Sequence, residues 1–142
     1  MSTPSSSTDP QQTILLYSDD VTVREAVRSA VGAVAHSGGT PLRWVEVATY
    51  DAVVGRADEG GIDLMILDGE ADKAGGMGVC RQLKNEIFRC PPVLLLTGRP
   101  QDAWLASWSL ADAAVPRPLD PVELQRAVRT LLAARVADGV VR

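Results

Sequence analysis

GGIDLMILDGEA, residues 60–71, opens on two glycines, runs through apolar side chains from Leu64 to Leu67, and stops on an acid, Asp68. A short apolar run between breakers has the length of a strand rather than a helix. A strand with no alternating polar positions is buried on both faces, the condition of a parallel sheet covered by helices. Similar runs recur at Ile14 to Tyr17, Trp44 to Val47, Val93 to Leu96 and Ala113 to Val115. The stretches between them have helical spacing, so the pattern is five alternating strand and helix units, an α/β domain.

The helices are marked unevenly. Val23, Val27, Ala30, Val31 and Val34 recur at three- and four-residue steps, and Thr22 with Glu25 predicts a capping box at the start of that helix. Asp120 before Pro121, with Glu123 following, predicts the start of the last helix, whose buried stripe is Leu124, Val128, Leu131 and Leu132. Weaker periodicity predicts helices over 50–57, 77–87 and 101–110, with Gly60-Gly61, Pro91-Pro92 and Pro100 as breakers. Residues 1–12, rich in Ser, Thr and Pro, read as a flexible N-terminal tail, 13–135 as one domain and 136–142 as a C-terminal tail.

With 142 residues, 46% of them hydrophobic, the chain is long enough for one core and too short for two ordinary domains. A net charge of -4 opposes a nucleic-acid partner, because an acidic surface repels a phosphate backbone. Cys80, Cys90 and the single histidine, His36, supply neither a disulfide framework nor a zinc cluster. No apolar run approaches the roughly 20 residues of a membrane span, so the expectation is a cytoplasmic protein with no direct membrane insertion.

In an open parallel sheet, the loops leaving the carboxyl ends of the strands converge on one crevice. Asp19 and Asp20 follow the first run, Asp68 ends the third, Thr97 ends the fourth, and Arg117-Pro118 follows the fifth. Acids, a hydroxyl and a cation converging from separate parts of the chain suit Mg²⁺ and a phosphoryl group. Plainer readings stand beside this one. Asp19 and Asp20 would favour a helix start through its dipole, worth about 0.3–1 kcal/mol, Asp68 would cap its own loop, and Thr97 would be a turn residue. Gly75, Gly76 and Gly78 lack the spacing of a nucleotide-binding loop.

From Ile14 to about Leu132 the sequence resembles the receiver domains of bacterial response regulators. The resemblance implies a flavodoxin-like (βα)5 sandwich with a parallel five-stranded sheet in the order 2-1-3-4-5. It implies that Asp68 is the phosphoacceptor position, that Thr97, Arg117 and Pro118 complete the phosphate pocket with a cis bond before Pro118, and that Asp19 and Asp68 bind Mg²⁺. Gly76 matches a glycine of the loop after Asp68. The departures are as informative. Ser18 stands where the family carries an acid, which weakens or abolishes the Mg²⁺ site unless Asp20 or Glu70 helps. Glu70 either assists a metal or repels a phosphodonor. Arg117 replaces a lysine with a planar fork suited to bidentate pairing with Asp68. Ala71-Asp72 replaces the usual Met-Pro, and Ala114 replaces the aromatic ring that swings on phosphate capture. The expectation is an atypical, or pseudo-, receiver that is not an enzyme and acts through protein contacts. The alternative is a phosphorylatable single-domain regulator accepting phosphate on Asp68.

The stretches LLYSDD, WVEVAT, GGIDLMILDGEA, GGMGVCRQLK and LTGRPQDAWLASWS resemble most the mycobacterial orphan response regulators associated with respiratory complex I. That likeness implies a partner on the cytoplasmic arm of the NADH-quinone oxidoreductase, and a membrane-peripheral position through it. Trp104 and Trp108, four residues apart on one expected helix, share a face. With Leu105 they read as an interface, core packing being the plainer use.

Overall fold

Every residue of the two strands Leu64–Asp68 and Val93–Thr97 is buried, as expected of strands covered on both sides. In the computed structural model, which describes residues 12–32, 41–70, 76–86, 90–98 and 110–139, the elements are β1 (Gln12–Tyr17), α1 (Val21–Val31), β2 (Leu42–Val47), α2 (Tyr50–Glu59), β3 (Leu64–Asp68), α3 (Gly76–Glu86), β4 (Val93–Thr97), β5 (Ala113–Pro116) and α4 (Pro121–Gly139). All strand pairs are parallel, in the order β2-β1-β3-β4-β5. The expected flavodoxin-like sheet order is therefore the observed one.

Alternation along each strand builds two cores. Leu15, Tyr17, Met65, Leu67, Val93 and Leu95 face Val53 and Ala57 of α2 and Cys80 and Leu83 of α3. Ile14, Leu16, Leu64, Ile66, Leu94 and Leu96 face Val27 and Val31 of α1 and Leu124, Val128 and Leu132 of α4. Each fully buried aliphatic side chain contributes about 1.5–3 kcal/mol, so the centre of the sheet is the best-secured part of the molecule.

At the amino ends of the strands, two acids bind neighbouring strands. Thr13 N–H donates to Asp63 Oδ2 at 2.8 Å while Asp63 N–H donates back to Thr13 O at 2.8 Å. Asp112 repeats the device against Val93, at 2.8 and 2.9 Å, and its carboxylate also accepts from Lys84 Nζ at 2.6 Å.

The start of α1 corrects the expected capping box. Asp20, in extended backbone (φ -112, ψ 113), is the cap, and its carboxylate accepts from Thr22 N–H at 2.9 Å. Thr22 lies inside the helix, so its amide is one of those needing a partner. Asp120 caps α4 as expected, accepting from Val122 N–H at 2.9 Å. α2 runs two residues beyond Ala57 and ends at Gly60, whose φ of 78 suits glycine. α4 reaches Gly139, past the boundary drawn at 135, because Ala133, Ala134 and Ala137 are strong helix formers. Likewise Gln12, assigned to the tail, opens β1. Val34 and residues 101–109 of the expected fourth helix lie outside the described residues. Leu110 is in a turn with φ 69.

Candidate functional site

β1, β3, β4 and β5 point the same way, so their carboxyl ends share one rim. Register pairs Tyr17 with Leu67, Asp68 with Leu96 and Thr97 with Pro116. Ser18, the first residue after β1, is thereby brought beside Asp68, and Arg117, the first after β5, beside Thr97. Asp68 is 2% exposed, Ser18 0% and Thr97 3%. A carboxylate at that depth loses hydration worth several kcal/mol unless charge and hydrogen bonds replace the water.

Donors of this chain replace it. Arg117 Nη2 forms a short ion pair with Asp68 Oδ1, which also accepts from Glu70 N–H at 2.9 Å. Ser18 Oγ donates to Asp68 Oδ2 at 2.7 Å. Asp20 N–H donates into the same hydroxyl oxygen at 3.0 Å, so the hydroxyl proton is left to point at Asp68. Ser18 was expected only as a missing acid. It is instead a direct partner of the Asp68 carboxylate, and the readable signal was that a hydroxyl donates where a second carboxylate would repel.

Arg117 corrects a second expectation. It meets Asp68 through one nitrogen on one oxygen rather than as a bidentate fork, because Ser18 already holds Oδ2. Its Nε is buried and has no hydrogen-bond partner among the described residues. Its backbone is tied down, since Arg117 N–H donates to Thr97 O at 3.1 Å. The Arg117-Pro118 bond is cis, as expected, and Pro118 itself is exposed.

The remaining acids are arranged differently. Asp20 is turned to the amides of α1, and Asp19 is exposed. Glu70 carries its carboxylate over Gly98: a Cβ at 98 would come within 2.7 Å of Glu70 Cδ and 2.9 Å of both oxygens. Tyr17 is buried next to this cluster, and its phenol is pushed above its ordinary value by burial, then by the charges of Asp19 and Asp68. Mg²⁺ requires several hard anionic oxygens. With Ser18 uncharged, Asp20 on the helix cap and Asp68 neutralised by Arg117, the residues present do not fit a tightly held Mg²⁺. Among the described residues no group of three or more His, Cys, Asp or Glu is placed to hold a metal ion. Trp104, Leu105, Trp108, Ala71 and Asp72 lie outside the described residues.

No family model matches the chain. It is, however, 57% identical over 121 residues to an uncharacterized response regulatory protein of Mycobacterium tuberculosis, covering 85% of this chain and 91% of that protein. The chain belongs to the response regulators. This response regulator is also 34% identical over 122 residues to the response regulator protein PmrA of Pseudomonas aeruginosa, matching 83% of itself and 51% of PmrA. Among solved structures it is similar to the signal receiver domain of a signal transduction histidine kinase from Syntrophus aciditrophicus, with TM-score 0.71, 26% identity, and 87% and 91% of the two chains covered. The rim just described is thus that of a receiver domain, a regulatory module. Among the described residues of this response regulator no helix is long and apolar enough to cross a membrane.

Proposed function

We propose that this receiver domain regulates a partner through protein contacts with Asp68 unmodified, as an atypical or pseudo-receiver, and has no enzymatic turnover. The observation that carries this reading is that both oxygens of Asp68 already accept from Ser18, Glu70 and Arg117. To take a phosphoryl group, one of these oxygens would have to attack phosphorus, and the ion pair and hydroxyl bond lower its nucleophilicity. Ala114 adds support, since a methyl group on β5 offers no ring to swing. The same neutralisation of Asp68 makes any Mg²⁺ binding through Asp19 and Asp68 weak. Intact-mass measurement after incubation with Mg²⁺ and acetyl phosphate is expected to show no added phosphoryl group. A phosphoryl adduct that is absent in Asp68→Asn would overturn the proposal.

One observation favours a second reading, a single-domain regulator phosphorylated on Asp68 in a phosphorelay. Arg117 Nε lacks a partner among the described residues at the same rim as the Thr97 side chain, so a phosphoryl oxygen there would gain a donor. The same mass measurement decides between the two.

For the partner, we propose subunits of the peripheral, cytoplasmic arm of respiratory complex I. This would make the protein a membrane-peripheral accessory component. The support is the resemblance of five stretches to the orphan regulators associated with that complex. The proposed contact is the face of Trp104, Leu105 and Trp108. Purified peripheral-arm subunits should retain wild type and Asp68→Asn equally and lose Trp104→Ala or Trp108→Ala. Failure to retain wild type would remove this partner.

A further inference from the structure

Ser18 is held on every polar atom it has. Its N–H donates to Val47 O at 3.3 Å, its hydroxyl meets Asp68 and Asp20, and its carbonyl accepts from Arg24 Nη1 at 2.6 Å. Arg24 lies in the first turns of α1 with its side chain 17% exposed. Its Nε donates to Glu46 Oε1 at 3.1 Å, and the other oxygen of Glu46 accepts from Arg28 Nη1 at 2.7 Å. Arg28 in turn lies over the ring of Trp44, 6.0 Å from its centroid. The guanidinium of Arg24 therefore spans two acceptors on two strands, the carbonyl leaving β1 and a carboxylate on β2.

The Arg24–Glu46 pair is only partly buried and close to the surface, where ion pairs contribute little to stability, so its energy does not account for this arrangement. Geometry does. A planar fork fixed at Nε by Glu46 presents Nη1 at a set place, and the backbone of Ser18 is drawn to it. The Ser18 hydroxyl must lie within about 3 Å of Asp68 to donate, so a small displacement of that backbone breaks the bond. Resting on the reading of Asp68 as a carboxylate held by its own chain, we infer that Arg24 is a positioning residue for that site. It acts through Ser18 and is itself set by Glu46 and Arg28 on the β2 side of the sheet. The state of Asp68 is thereby coupled to the edge strand β2.

Arg24→Lys keeps the charge and loses the fork. The readout is the side-chain carboxyl ¹³C resonance of Asp68 at fixed pH, which reports its hydrogen bonding and which a purely structural role of Arg24 would leave in place. Arg24→Lys should shift this resonance in the same direction as Ser18→Ala and by most of its size. In the Ser18→Ala background it should shift it no further, because the hydroxyl through which Arg24 acts is gone. Glu46→Gln, which keeps the shape of β2, should give a smaller shift of the same sign. An Asp68 resonance unmoved by both Arg24→Lys and Glu46→Gln, or moved equally by Arg24→Lys in both backgrounds, overturns the inference. A phosphoryl adduct on wild type alongside a non-additive cycle would remove the unmodified-receiver reading and leave Arg24 in place.

Discussion

The two ends of the sheet treat their acids in opposite ways. At the amino end, Asp63 and Asp112 each exchange hydrogen bonds with the backbone of a neighbouring strand, on Thr13 and Val93. At the carboxyl end, Asp68 accepts one amide, from Glu70, and otherwise depends on the side chains of Ser18 and Arg117. Backbone partners are present whatever the sequence, so the amino end is a fixed clasp. Side-chain partners differ from one sequence to another, so chemistry at the carboxyl end changes without unfolding the sheet. Ser18 and Arg117, the two side chains that hold Asp68, fall where the fold tolerates change.

Breaking the contrast at the carboxyl end should have the largest effect. Arg117→Met leaves the Asp68 carboxylate buried without its countercharge. It should lower unfolding stability by about 2–3 kcal/mol, less than for a fully buried pair because Arg117 is 29% exposed. Adding Asp68→Asn should recover most of that loss in urea denaturation, since no charge is then left stranded. A double variant as unstable as Arg117→Met alone would show that the charge is not the cause. The amino end should answer differently. Asp112→Ala removes the acceptor of the Val93 amide and of Lys84, which should cost about 2 kcal/mol. Hydrogen exchange should speed up at Val93 while the amides of Asp68 and Gly69 stay protected.

Alkali sharpens the contrast from the side of Tyr17. Its phenol is raised above 10.0 in the folded protein by burial, then Asp19, then Asp68, so the folded state binds the proton more tightly than the unfolded chain. The contribution to stability is fully present below pH 10 and is lost as pH rises through the higher folded value. Denaturation series from pH 9 to 11 should therefore fall more steeply for wild type than for Tyr17→Phe. Parallel curves would sink this account. The smallest effect belongs to Gly98→Ala. The atom it would strike is the far end of Glu70, which swings into solvent, so stability should change by no more than about 0.5 kcal/mol. Any change should vanish in the Glu70→Ala background, and a larger loss there would place the strain in the backbone.

The central strands were legible because burial on both faces leaves a local mark: runs such as LMIL and LLLT need no partner to be recognised. The rim positions were legible for the same reason, as the residues on which those runs stop. The cap of α1 was misread by two positions because Asp20 and Thr22 both satisfy the local rule, and only the backbone turn at Asp20 separates them. Arg117 was misread because its geometry depends on which oxygen Ser18 has taken.

By itself, then, the sequence determined the strand and helix alternation, the two-faced core and the residues gathered at the carboxyl rim, since each follows from periodicity within a few neighbours. Only the tertiary structure decided what those residues touch. Ser18 and Asp68 are 50 positions apart, and Arg24 and Glu46 are 22 apart. Contacts over such distances are set by strand order, register and competition for the same oxygen, none of which is written in any single stretch of chain.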